Sequence, residues 1–158
     1  MVIDNVDPEN RGRLMLQIPD VLGDSPSSWA LPCFPFTGIQ SGCFVVPGVG
    51  SPVWVEFEHG DPDKPIWVGC WYQSLSDLPT QAKATPPAVQ AFVLQTLLNT
   101  LLMVSDLPGP TGGILLQTPA AAMISVSDAG ITISNGQGAS ISMVGPTVTI
   151  NNGALVVT

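Results

Sequence analysis

Charge is scarce in this chain of 158 residues, of which only 10% are charged, against about 25% in an average soluble domain. Basic residues are the scarcest, with four Lys and Arg against twelve Asp and Glu, and the formal net charge is −8. A nucleic-acid-binding surface needs basic groups that displace counterions, so this balance argues against a nucleic-acid partner. Extensive burial between subunits is the simplest way for so uncharged a chain to cover its surface.

Histidine is nearly absent, and paired cysteines and long apolar runs are missing. The only histidine is His59, and Cys33, Cys43 and Cys70 form no CxxC pair, so neither a zinc site nor a disulfide framework is expected. No run of about 18 apolar residues could span a membrane, and the first residues lack the apolar centre of a signal peptide. Without a Gly-x-Ser-x-Gly elbow or a P-loop, we expect no enzyme activity, no cofactor and no metal.

What the chain does have is Gly and Pro, 16 of each, which favour many turns and little helix. Composition divides it into three regions. Residues 1–73 contain nine of the acids, all four Trp and all three Cys, and they predict a compact domain. Residues 74–90 are polar and contain prolines, which is typical of a linker, and residues 91–158 contain two acids and no base.

The region after Ala121 alternates aliphatic residues with Ser and Thr. This period of two predicts short strands with one buried face and one hydrated face. We expect the buried face to contain Ile124, Val126, Ile131, Ile133, Ile141, Met143, Val148, Ile150, Leu155 and Val157. Such short strands leave their edges exposed, so further copies of the chain should complete the structure. A β-sandwich half is the alternative, but it would need charged outer positions and aromatic core residues, and no aromatic residue follows Phe92.

The first region predicts four or five short strands, which suit a small closed barrel such as an OB-fold. Expected strands are the start through Asp4, Arg13–Ile18, Gly42–Val46, Ser51–Phe57 and Pro65–Trp71. Trp29–Gln40 contains Pro32 and Pro35, so we expect an irregular crossing there.

Spaced motifs in residues 2–72 resemble the phage baseplate assembly protein V family and the related VgrG-type spikes of contractile injection systems. The residues that carry the resemblance are Asp7-Pro8, Gly12-Arg13, Trp29-Ala30, Pro47, Gly50, Val53-Trp54-Val55-Glu56-Phe57, Gly60-Asp61-Pro62, Pro65, Trp67 and Gly69. The resemblance implies an all-β homotrimer, with an N-terminal OB-fold barrel followed by an intertwined triple-stranded β-helix. It also implies a non-enzymatic central spike at the tip of an inner tube, which pierces a target envelope when a sheath contracts.

The resemblance further implies partners and a location. A baseplate hub or tube-initiator protein would lie above the barrel and the target membrane would be met transiently. The particle would be assembled in the bacterial cytoplasm and become a phage tail or an extracellular or envelope-associated particle. Arg11 and Arg13 are candidate hub contacts, although a solvated strand end explains them equally well. Some related spikes fold a tip around iron through His-x-His, and no histidine follows His59. We therefore expect a PAAR-type tip protein to contact Leu155, Val156, Val157 and Thr158.

Two other functions compete with the spike. The barrel could be a binding module for oligosaccharide or single-stranded nucleic acid, although the excess of acids opposes the second ligand. The acidic residues Glu56, Glu58, Asp61 and Asp63 could serve an envelope-degrading enzyme or a calcium site. We expect instead that Asp61 and Asp63 belong to a turn closed by Pro and Asp.

Overall fold

A computed structural model of the chain describes residues 1–157, apart from the side chain of Val156. Backbone contacts divide the chain into two compact units, Met1–Ser74 and Leu75–Thr158. Strands dominate both units and the helices are short, as the abundance of Gly and Pro predicts. No helix among the described residues is long and apolar enough to cross a membrane.

The first unit contains seven strands, one short helix and a 3-10 turn. The strands are β1 Val2–Asp4, β2 Met15–Leu16, β3 Leu31–Pro32, β4 Thr37–Gly38, β5 Ser41–Gly42, β6 Val53–Phe57 and β7 Pro65–Cys70. Helix α1, Pro19–Leu22, begins with a proline, whose missing N–H has no helical partner at that position anyway. The 3-10 turn Glu58–Gly60 connects β6 to the loop before β7.

Five of these strands form a closed circuit of hydrogen bonds. β1 pairs with β2, β2 reaches the start of β3 through a bridge between Leu14 and Ala30, β3 runs parallel to β7, and β7 pairs with β6. The Val2 N–H donates to the Ser51 carbonyl at 3.0 Å, and the Gly50 N–H donates to the Val2 carbonyl at 2.9 Å, so the chain before β6 returns to β1. This circuit is a five-stranded barrel of OB-fold type, which confirms the predicted fold of the first unit.

The barrel interior holds one apolar cluster. Its buried members are Val2, Leu14, Leu16, Ala30, Val53 and Trp67. In β6, Val53 faces this cluster while Trp54 and Glu56 are exposed, as the alternation of that strand predicts. The buried indole of Trp67 donates its Nε1–H to the Gly12 carbonyl at 3.1 Å, so its one polar atom is satisfied.

Two expectations for the first unit are wrong. The strand expected at Gly42–Val46 is reduced to β5, which only closes a hairpin with β4. The crossing expected at Trp29–Gln40 instead supplies β3, the barrel strand parallel to β7. Pro32 and Pro35 keep that strand to two residues, because proline has no N–H to donate to a ladder, and so short a strand leaves no periodic signal.

The second unit is one antiparallel meander preceded by a helical segment. Its 3-10 turns are Leu75–Asp77 and Asn151–Gly153, and helix α2 is Thr80–Ala84. The strands are β8 Ala91–Gln95, β9 Leu101–Ser105, β10 Gly113–Gln117, β11 Met123–Ser127, β12 Gly130–Ser134, β13 Ser140–Val144, β14 Thr147–Ile150 and β15 Leu155–Val157. Each strand pairs with its neighbours in the sequence, so the eight-stranded sheet runs from β8 to β15 without a crossover.

Residues expected as a linker fold onto the second unit. Helix α2 lies against β8, and the Lys83 Nζ donates to the Ser76 carbonyl at 3.4 Å. The Gln90 carbonyl accepts the Asp106 N–H at 3.0 Å, which ties the end of this segment to the chain just after β9. The polar residues 75–90 therefore form a segment that contacts the start of the sheet and has no buried residue.

Candidate trimer interface

The sheet of the second unit carries an aliphatic face made of two unbroken rows. Strand registers align one residue of each strand into row A and the residue two positions away into row B. Row A is Leu94, Leu102, Leu116, Ile124, Ile133, Ile141, Ile150 and Leu155. Row B is Phe92, Val104, Ile114, Val126, Ile131, Met143, Val148 and Val157. All ten residues expected in a buried interior lie in these rows.

Neither row is buried by a single chain. Ile124 and Ile133 are each 42% exposed, and Leu155 and Val157 are 54% and 55% exposed. Monomeric soluble proteins rarely leave so continuous an apolar surface in water, and such a surface is typical of a protein interface. The burial of rows A and B between copies of the chain remains a prediction.

The opposite face of the sheet changes from apolar to hydroxylated along its length. In the first three strands its middle row is Val93, Met103 and Leu115. In the next four strands the same row is Ser125, Thr132, Ser142 and Thr149. Hydroxyl groups hydrate without charge, so the part of this face from β11 to β14 can meet water unaided. In the apolar part, Met103 is only 3% exposed in a single chain. The aliphatic face is therefore the one that needs a protein partner.

In the first unit, the loop before β2 holds a largely buried ion pair. The Asp7 carboxylate accepts Arg13 Nε at 2.9 Å and Nη2 at 2.7 Å, together with the backbone N–H groups of Glu9, Arg11 and Arg13. The Arg13 guanidinium also lies 5.7 Å from the centre of the Trp29 ring. Hydrogen bonds from Arg13 hold the pKa of Asp7 far below its usual range, and the same bonds raise the pKa of Arg13.

The two candidate hub contacts are therefore placed differently. The side chain of Arg13 is 14% exposed, and its guanidinium is engaged by Asp7 and, at 3.0 Å, by Glu9. The side chain of Arg11 is 59% exposed, and its own pair with Glu9 is open to water, where ion pairs contribute little. Arg11 also borders a surface groove lined by Phe34 and Phe44, so it is better placed than Arg13 to reach a partner.

The acidic residues around β6 have the geometry of a turn. Glu56 points outward from β6, and Glu58 begins the 3-10 turn that follows. The Asp61 Oδ1 accepts the Asp63 N–H at 3.0 Å, and Lys64 Nζ lies 3.8 Å from Asp61 Oδ2. Within residues 1–157, no group of three or more His, Cys, Asp and Glu side chains is arranged to hold a metal ion.

The candidate contacts for a tip protein fall on the last strand. β15 pairs with β14 and lies at one end of the sheet, where Leu155 and Val157 extend rows A and B. The side chain of Val156 and all of Thr158 lie outside the described residues.

The runs Phe92–Thr96, Leu101–Val104 and Ile114–Gln117 were expected as strands and correspond to β8, β9 and β10. The expected interior began only at Ile124 and included no residue of these three strands. Rows A and B continue through Leu94, Leu102, Leu116, Phe92, Val104 and Ile114. The alternation there is hidden because the intervening Val93, Met103 and Leu115 are apolar as well. The regularly spaced turns suggest that these strands pair in sequence order, and this pairing would have added their residues to the expected interior.

Comparison with known proteins also divides the chain into an N-terminal and a C-terminal domain. Residues 1–72 match the family described as the Type VI secretion system/phage-baseplate injector OB domain, and residues 91–156 match the phage baseplate V C-terminal trimerisation domain. The Type VI secretion system spike protein VgrG4b of Pseudomonas aeruginosa is 36% identical over 61 residues. That match covers 39% of this chain and 8% of the relative, so the chain corresponds to a small part of that protein.

An injector OB domain followed by a trimerisation domain is the composition of structural spike proteins of contractile injection systems. Residues 1–72 and 91–156 thus belong to two domain families of phage baseplates and secretion systems, as the motifs predicted. These families imply a component of a phage tail or of a secretion particle. Except for Val157, rows A and B lie within the region whose family is a trimerisation domain.

Proposed function

We propose that three copies of this chain form the central spike of a phage-like contractile injection system. The spike would sit at the tip of the inner tube and pierce the target envelope when the sheath contracts. The observation that carries this proposal is the pair of unbroken rows A and B, most of whose members are 38% to 55% exposed in one chain. Their position in a trimerisation domain favours a second and a third copy as the cover.

The width of the sheet favours three copies around one axis. A five-residue strand such as β9 spans about 17 Å. Three sheets of that width enclose a triangle whose sides lie about 5 Å from the axis, which is half the separation of about 10 Å between packed sheets. Four such sheets would lie about 8 Å from the axis and leave a channel that aliphatic side chains could not fill. The side chains of rows A and B match the triangular interior.

Little charge would lie on the outside of such a shaft. Residues 91–158 contain two acids, Asp106 and Asp128, and no base. A charged side chain inside a bilayer costs about 3 kcal/mol or more. The hydroxylated outer face is thus compatible with transient passage through a target membrane.

The two units would contact different partners. The barrel unit would meet the baseplate hub or tube-initiator protein, with Arg11 as the exposed contact and Arg13 as a support for its loop. Strand β15 would meet a PAAR-type tip protein through Leu155 and Val157, with Val156 and Thr158 as further candidates. Assembly would take place in the bacterial cytoplasm, and neither catalysis nor a cofactor is part of the proposed role.

Mass in solution tests the trimer directly. We expect about three times the chain mass of 16.5 kDa, and the trimer should resist heating because unfolding is coupled across its subunits. A monomer at micromolar concentration would contradict the proposal. Binding of the purified trimer to its hub and PAAR proteins, compared for the wild type and Arg11→Ser, then tests the partners.

A second candidate function is oligosaccharide binding by the barrel unit. Trp54, Trp71 and Tyr72 are 62%, 43% and 59% exposed, and the Trp54 and Trp71 ring centres lie 6.0 Å apart. Exposed aromatic faces of this kind suit either a ligand or a protein interface. Quenching of tryptophan fluorescence by peptidoglycan fragments would support the ligand, and clearing of a peptidoglycan gel would indicate an enzyme instead.

A further inference from the structure

The turns of the meander lie on two different edges of the sheet. Edge T carries the connections 96–100, 118–122, 135–139 and 151–154, and edge L carries 106–112, 128–129 and 145–146. A five-residue strand separates the two edges by about 17 Å. A residue on edge T therefore cannot contact a residue at the same level on edge L of its own chain.

Edge T presents two leucines to water at its first turn. Leu97 and Leu98 are 97% and 74% exposed, more than any other leucine described in this unit. The turn itself is well formed, because the Thr96 N–H donates to the Thr100 carbonyl and the Asn99 N–H to the Thr96 carbonyl, both at 2.9 Å. Asn99 adopts a φ of 65°, a left-handed conformation that asparagine tolerates. The Leu97–Leu98 pair, here called the leucine tip, is thus held outward by a defined hairpin.

An apolar notch of about 330 Å³ lies beside the leucine tip on the same edge. It is bordered by the ends of β9 to β12 and includes three members of row A, namely Leu116, Ile124 and Ile133. The notch therefore opens at the margin of the aliphatic face, where that face reaches edge T.

Edge L presents an apolar loop at the level of the same strands. The connection 106–112 joins β9 to β10 and contains Leu107, Pro108 and Pro110. The Leu107 N–H donates to the Ser105 Oγ at 3.1 Å, and the Gly109 N–H donates to the Asp128 Oδ2 at 3.3 Å. Two hydrogen bonds thus fix the loop, in which Pro108 and Pro110 are exposed and Leu107 is half-buried. The end of the loop, from Pro110 to Gly112, borders the opposite face of its own sheet beside Met103 and Leu115.

A shaft with threefold symmetry brings edge T of one copy to edge L of the next at each corner, because cyclic interfaces pair unlike surfaces. β9 and β10 lie at the same height in every copy, so the loop and the notch meet. We propose that the Leu107–Pro110 loop of one copy enters the notch of the next, where the leucine tip packs over it. This contact rests on the proposed trimer and would close the three corners of the shaft.

Cysteines on opposite edges test the corner contact. Leu98→Cys combined with Pro108→Cys should give a covalent trimer on a non-reducing gel after oxidation, while each single variant and the wild type stay monomeric there. A disulfide needs Cα atoms within about 7 Å, so a bond within one chain is excluded. The wild type controls for the native Cys33, Cys43 and Cys70.

Thermal unfolding supplies a second measurement. Leu97→Ser combined with Leu98→Ser should lower the midpoint by about 5 °C or more, while Gln137→Ser at another turn of edge T should leave it unchanged. A protein that is trimeric by mass, yet gives only monomers on the gel and an unchanged midpoint in the leucine variant, would overturn the corner contact alone. A wild type that is monomeric by mass would overturn the proposed trimer and the corner contact with it.

Discussion

Replacing Ile133 by Asp would place one carboxylate in row A of every copy. In a single chain Ile133 is 42% exposed, so water could hydrate the new charge. In the proposed shaft three carboxylates would face the axis together, and residues 91–158 contain no base to pair with them. Thr132→Asp is the matched control, because Thr132 precedes Ile133 on the same strand and faces the hydroxylated side.

The expected loss is about one third of the apolar contribution that would hold the three copies together. The exposed members of rows A and B are 38% to 55% exposed in one chain. Burying the exposed fraction of each side chain contributes about 1 kcal/mol. About ten such side chains contribute on the order of 10 kcal/mol per chain. An unpaired buried charge costs about 3 to 5 kcal/mol, so three copies cost on the order of 10 kcal/mol per trimer. The dissociation constant should then rise by about a millionfold or more.

Light scattering coupled to size exclusion at micromolar concentration measures the outcome. We expect Ile133→Asp to elute with the mass of one chain, 16.5 kDa, and Thr132→Asp to remain a trimer. Both variants carry the same weak strand propensity of Asp, so a difference between them reports the face of the sheet. A trimeric Ile133→Asp, or equal dissociation of both variants, would refute the assignment of rows A and B to the interior.

Three further changes have defined outcomes. Asp7→Asn should make the stability of the barrel unit less dependent on pH in the acid range. In the wild type the lowered pKa of Asp7 contributes stability above a pH of about 4, and this contribution is lost as the pH falls further. Unfolding midpoints measured from pH 7 to pH 2 report this loss. Trp67→Phe removes a buried hydrogen bond and should destabilise the barrel by about 1 to 3 kcal/mol in denaturant titrations. Its control is Trp54→Phe, because Trp54 is 62% exposed. That control should change the stability of the barrel by less than about 0.5 kcal/mol. Gly130→Ala should lower the unfolding midpoint of the sheet, because its Cβ would clash with the Met143 carbonyl oxygen at a φ of 139°. By contrast, Gly48→Ala meets no atom within 4 Å and should be neutral.

Local patterns were enough to predict the second half of the sheet. From Met123 to Val157 each strand has one aliphatic face, and short turns leave no freedom in the order of pairing. The ten predicted interior residues therefore lie on one face, as period two requires. In the preceding strands Met103 and Leu115 are apolar on the other face, so the pattern could not distinguish the two sides.

The barrel depended on contacts that no local pattern reports. Strand β3 has two residues and is defined by its pairing with β7, more than thirty residues later. The five hydrogen bonds to Asp7 arise because the loop folds back on itself around Arg13, which sequence reasoning treated as exposed. The pattern of short strands suggested a small barrel, and the motif resemblance added its family. The motif residues include the buried Trp67 and the paired Asp7 and Arg13.

Because β8 to β15 pair in strict sequence order, the proposed shaft would keep its arrangement only if its length changed in units of one hairpin. Two added strands would extend it by about 10 Å and return the chain to the edge from which it left, so every later turn would keep its corner. A single added strand would send all later turns to the opposite edge and reverse the direction of every strand beyond it. Duplication of a hairpin is thus a simple genetic route to a longer needle.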